Sequence, residues 1–166
     1  MSTHGPVDAK GDRLVPFFTA VIAVLAALGT LFAHHRSIQA LALRNDALLL
    51  TAKASDQYQY YQGQQLKATL YEALKQPAAM GKEQRASLAV YAEAKSLEAR
   101  ADHDQHRAED LLTSFETLEI ATTLFEISIA FASIAALSGA RLPLYLGGTL
   151  SAVGVVLGVI GYLQAH

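Results

Sequence analysis

The 166-residue chain has no cysteine, no tryptophan and only four prolines. Without cysteine there are no disulfides and no thiolate chemistry, and either side of a bacterial membrane stays open to it. Charge is also sparse. Asp, Glu, Lys and Arg make up 17% of the residues against 52% hydrophobic ones, a balance shifted away from soluble domains. Thirteen basic and fifteen acidic side chains leave a formal charge of −2, so no surface for nucleic acid is expected. There is no phosphate loop, nucleophile elbow, dinucleotide fingerprint or metalloprotease motif, so neither an enzyme nor a cofactor is expected. Pro6, Pro16, Pro77 and Pro143 are widely spaced, which leaves long tracts free to run as helix.

Three apolar runs fill part of those tracts. Residues 14–33, "LVPFFTAVIAVLAALGTLFA", carry no charge and are long enough to cross about 30 Å of hydrocarbon. Lys10 and Arg13 precede this run as they would in a signal peptide, but its length favours a retained span after a flexible tail, residues 1–13. Residues 120–140 form a second run with one acid inside it, and residues 142–163 form a third. The "SGARLP" connection between them suits only a tight turn.

Between the first two spans, residues 34–119 are rich in Ala, Leu, Gln, Glu and Lys, all good helix formers. Their one clear break is "KQPAAMG", which puts a turn at 76–81. The expected fold is therefore all-α: three transmembrane helices, with a long antiparallel, coiled-coil-like helical hairpin between spans one and two. Each arm outside the membrane, about 40 residues, would reach on the order of 60 Å. A fold-back between Ala78 and Ala79 sets Glu126 level with Leu31 and Glu119 level with Ile38.

The return arm shows a seam at 3–4 spacing: Val90, Ala94, Leu97, Ala101, Asp104, Ala108, Leu111, Phe115 and Leu118. The outgoing arm offers a weaker one, from Ile38, Leu41, Asn45 and Leu48 through Ala52, Ser55, Gln59 and Gln62 to Leu66. So thin a seam stabilises two helices poorly, which favours several copies supporting one another. Small residues also line the spans. Gly147, Ser151, Gly154, Gly158 and Gly161 mark one face of span three for helix packing, within the protomer or between copies. Ser128, Ala132, Ala135 and Gly139 repeat the rhythm in span two, as do Ala20, Ala23, Ala27 and Thr30 in span one.

Few residues suggest chemistry. Glu126 is an intramembrane acid, and Glu119 stands near the boundary. Pairing with Arg36, His34 or His35, or reaching the headgroups, is the plainer reading; a ring of Glu126 side chains lining an ion or proton path is the alternative. His103, His106 and Asp110 have helical spacing for a shared metal, although a solvated charged face explains them equally well. Lys10, Arg13 and Arg141 share one side, which points to a cytoplasmic amino terminus and a periplasmic hairpin; Arg36 and Arg44 pull the other way.

The block "ASDQYQYYQGQQLK" concentrates aromatic and amide side chains around much of a helix. The aromatic bodies favour burial and their hydroxyls need partners, so protein neighbours on several sides are expected. With "NDALLLTAKASDQ" and "TLFEISIAFASIAAL", this block resembles a bacterial membrane family catalogued only as a domain of unknown function. The resemblance runs from about Pro16 to Tyr162. Asn45, Ser55, Asp56, Gln57, Tyr60, Tyr61, Gln62 and Lys67 match it most closely, and Tyr58 stands where an aromatic is typical. Gly63 replaces a more usual alanine, the last turn is less basic than in the family, and "DHDQH" departs from its pattern. The resemblance implies a three-span architecture in the bacterial inner membrane and no known reaction. Ser55, Asp56, Gln57, Tyr58, Tyr60, Tyr61, Gln62 and Lys67 are the expected assembly residues, joining copies of the chain or tying it into a larger membrane complex.

Overall fold

The computed structural model describes residues 14–164, all but the turns in three helices: α1 (Leu14–Ala73), α2 (Pro77–Ser138) and α3 (Arg141–Leu163). The tail at 1–13, with Lys10 and Arg13, lies outside the described residues. Each helix contains a segment long and apolar enough to cross a membrane. Proline placement explains the continuity. Pro16, Pro77 and Pro143 all fall in the first turn of a helix, where a missing N–H costs no hydrogen bond.

The first break is shorter and earlier than the sequence predicts. Helix stops at Ala73, and Pro77 through Gly81 already belong to α2, because proline suits a first helical position. The turn is closed by Lys75, which donates to Glu72, and Gln76, which donates to Tyr71, both at 3.0 Å. Lys75 takes the left-handed conformation, φ 57°, in the place usually given to glycine. At the end of α2, Gly139 does the same at φ 63°, and its N–H donates to Ala135.

The chain divides into two compact units. An apolar one joins residues up to 38 with residues from 110 onward, and a polar one spans 39–109. In the apolar unit, Ile22, Ala26 and Phe125 form a buried cluster backed by Phe18, Leu25 and Ile129. Against α2, α3 lays the buried face Gly147, Ser151, Gly154 and Gly161. A Cβ built on Gly147 would sit 3.0 Å from the Ser128 carbonyl, and one on Gly154 would sit 3.2 Å from the Ala121 carbonyl. Small residues there let the two backbones approach closely. The buried Ser114 hydroxyl donates to the Gly161 carbonyl and ties α2 to the end of α3.

In the polar unit the contact is made of alanines. Ala40, Ala47, Ala54 and Ala68 of α1 are buried at intervals of seven or a multiple of it, as are Ser87, Ala94, Ala101 and Ala108 of α2. The return seam read from sequence matches: Ala94, Ala101 and Ala108 are buried, with Val90, Leu97 and Asp104 half-buried. The outgoing seam does not. Leu41, Leu48 and Leu66 are 54%, 68% and 74% exposed, and Ala52, Ser55, Gln59 and Gln62 are exposed too. Large aliphatics marked the wrong face because helices this close bury small side chains and exclude bulky ones.

Candidate functional site

The signature block of α1 divides between two roles. Tyr58 and Tyr61 turn toward α2, where their rings meet Tyr91 at centroid distances of 5.9 and 5.3 Å. The Tyr58 hydroxyl donates to Glu98 at 2.8 Å, and this hydrogen bond is the main cause that lifts the phenol above its ordinary pKa. Gln65 donates to Ser87 at 2.9 Å, and Ser87 donates to Gln84. The buried Gln64 donates to the Tyr60 hydroxyl at 2.8 Å, while its Oε1 accepts nothing among the described residues. Gln57 is half-buried. By contrast, Asp56, Tyr60 and Lys67 are exposed, as are Ser55 and Gln62 at the edge of α1 that borders α2.

Between the helices lies an open groove of about 440 Å³, lined by Ser55, Tyr58, Gln59 and Gln62 from α1 and by Glu98 and Asp102 from α2, among others. It offers hydrogen-bonding groups on both walls, the Tyr58–Glu98 pair among them. The block is therefore built for polar contact.

A Domain of unknown function (DUF4337) family profile matches residues 12–164, which include this block and all three helices. The chain belongs to the DUF4337 family. No curated protein and no solved structure matches it.

The acids of the DUF4337 apolar unit sit differently from the sequence expectation. A Cβ on Gly29 would meet Thr122 Oγ1 at 2.7 Å, and Ile22 and Ala26 share their cluster with Phe125. Leu25, not Leu31, thus stands beside the turn that carries Glu126. The earlier break at Leu74–Gln76 accounts for the shift, since moving a fold-back changes each pairing by twice the displacement. Glu126 then stands about 12 Å along the helix axis from the level of Ala33, where the uncharged run of α1 ends. It is exposed, as are Glu116, Glu119, Thr123, Ala130 and Ser133 along the same face of α2. Among the described residues no ion pair joins Glu119 or Glu126 to Arg36 or His34. His34 and His35 are exposed and Arg36 is half-buried.

The histidine cluster turns to its own helix. His106 donates to the Asp102 carbonyl at 2.8 Å, and His103 lies 3.4 Å from the Asp104 carboxylate. Among the described residues, no three such side chains converge as a metal site.

On span one, the row Ala20, Ala23, Ala27 and Thr30 faces outward, while Ile22, Ala26 and Ala33 are buried. Sequence spacing alone could not separate these rows, because both repeat at 3–4 intervals. The burial of Ile22, and of Phe125 opposite it, marks the row that faces inward.

Proposed function

We propose that this DUF4337 protein is a structural membrane protein that assembles as a homo-oligomer in the bacterial inner membrane. It would act alone or as an accessory subunit of a larger membrane complex, without enzymatic activity. Its polar unit would be an antiparallel, coiled-coil-like helical hairpin outside the bilayer. The amino terminus would be cytoplasmic and the hairpin periplasmic, consistent with the basic residues flanking the spans.

One observation carries this reading. Each unit has outward-facing residues on α1: Ala20, Ala23, Ala27 and Thr30, at 3–4 spacing, in the apolar one, and Leu41, Leu48 and Leu66 in the polar one. Lipid requires no small-residue row, and water disfavours a leucine row, so each segment has a physical reason to lie against another helix. Asp56, Tyr60 and Lys67, with Ser55 and Gln62 at the edge bordering α2, are exposed on the same stretch and would supply polar contacts that fix register.

The absence of cysteine makes the test direct. Leu48→Cys should cross-link between copies on oxidation in membranes, whereas Ala54→Cys, buried between α1 and α2, should not. Equal cross-linking at both positions, or none at Leu48→Cys, would count against the assembly.

A second reading is supported by the outward face of α2. Glu119, Thr123, Glu126 and Ser133 form a polar row in a membrane-crossing segment, where an ionised carboxylate is costly unless protein or water covers it. Copies that bring these faces together would line an ion or proton path. Glu126→Gln should then abolish flux in liposomes, and an unchanged or absent flux would rule this reading out.

A further inference from the structure

Four of the five small residues expected to pack α3 have a task within the chain, and the fifth does not. Cβ atoms on Gly147, Gly154 and Gly161 would crowd α2, and Ser151 is buried with them. A Cβ on Gly158 would meet only Ala121, at 4.0 Å. Gly158 instead lines an open groove of about 300 Å³ between α1 and α3, with Leu25, Phe32, Leu118, Phe125 and Val159 among its other lining residues. Apart from the hydroxyl of Tyr162, every side chain that lines it is apolar. Phe32 and Tyr162 meet edge to face at its rim, with centroids 6.0 Å apart.

The groove has a charged end. Leu25, Gly29 and Phe32 follow one another on one face of α1, and the next residue on that face is Arg36, one turn beyond Phe32 and beyond the apolar run. Arg36 is half-buried, and its helix position sets it one turn past the lining residues of the groove. Planar guanidinium groups recognise phosphate oxygens two at a time. An apolar slot in the hydrocarbon, with a cation one turn beyond its interfacial end, has the charge order of an anionic phospholipid. Basic pockets between membrane helices bind such headgroups.

We propose that the α1–α3 groove binds one acyl chain of an anionic phospholipid, with the phosphate on Arg36 and the chain over Gly158. The site needs only the membrane unit and is independent of the proposed oligomer.

Native mass spectrometry of the full chain, released from mixed micelles containing phosphatidylglycerol or phosphatidylcholine, tests it. The wild type should retain one phosphatidylglycerol per protomer, with about a tenfold preference over phosphatidylcholine. Gly158→Leu, which fills the groove, should lose that lipid at unchanged copy number; Val159→Trp, which fills it from the rim, should do the same if Gly158→Leu does not fold. Arg36→Gln should keep a lipid and lose the headgroup preference. Undiminished phosphatidylglycerol in the groove-filling variants, or an unchanged preference in Arg36→Gln, would overturn the proposal. So would a groove-filling variant that falls to a lower copy number, since the groove would then hold another copy's helix. The same spectra report oligomeric state, so failure of the lipid site and failure of the assembly are separable.

Discussion

Gly147→Ala should destabilise the apolar unit, whereas the same change at Gly158 should not. At Gly147 the new methyl would lie 3.0 Å from the Ser128 carbonyl and 3.3 Å from Phe131 Cβ. The first neighbour is backbone and the second is fixed to it, so α2 and α3 must separate by a few tenths of an ångström. Overpacking of this kind costs about 1–3 kcal/mol. Replacing a helical glycine returns about 1 kcal/mol of helix propensity. The net effect at Gly147 is then about 0–2 kcal/mol of destabilisation. At Gly158 the methyl finds ordinary contact at 4.0 Å, and only the propensity gain of about 1 kcal/mol remains. The two variants should therefore differ by about 1–3 kcal/mol. Loss of far-UV helical signal, as a denaturing detergent is titrated into mild micelles, would rank them. A Gly147→Ala midpoint equal to or above that of Gly158→Ala would refute the close α2–α3 packing.

Three further outcomes follow from the polar unit. Ala101→Leu, at a site 6% exposed, should cost about 1–3 kcal/mol by forcing α1 and α2 apart, measured as a fall in thermal midpoint. Gln64→Met should raise that midpoint by the equivalent of about 1 kcal/mol, because it removes a buried acceptor that accepts no hydrogen bond; a fall would mean Gln64 matters more as a donor to Tyr60. The hydrogen bond to Glu98 raises the Tyr58 pKa above 10.0, so the folded chain holds that proton more tightly than the unfolded one. The contribution is therefore intact below pH 10.0 and lost as pH rises through the folded value; Tyr58→Phe should remove this alkaline step from the pH dependence of melting.

Much of this architecture is legible in the sequence for identifiable reasons. The apolar runs declare themselves by length, and Pro16, Pro77 and Pro143 mark helix starts by lacking a donor. The return seam is readable because Val90, Leu97 and Leu111 alternate with small residues at one spacing. The outgoing helix misleads because its most visible apolar residues, Leu41, Leu48 and Leu66, are not those against α2. The informative signal was the recurrence of alanine at 40, 47 and 54, which looks unremarkable in an alanine-rich helix. The register of Glu126 against α1 is hidden in the sequence by the turn alone. Pro77–Gly81 reads as loop when proline is taken as a breaker, yet proline at a first position begins a helix. The role of Gly158 could not be read at all, since its spacing is that of the glycines that do pack.

The function proposed for this DUF4337 protein rests on self-association through the outward leucines of α1. Native mass spectrometry of the full chain in mild detergent tests it most directly, with Leu41→Ala/Leu48→Ala alongside. The wild type should give a single multimeric species and the double variant a shift toward monomer, with helical content unchanged. A wild-type monomer without a partner, or a multimer indifferent to both substitutions, would contradict it.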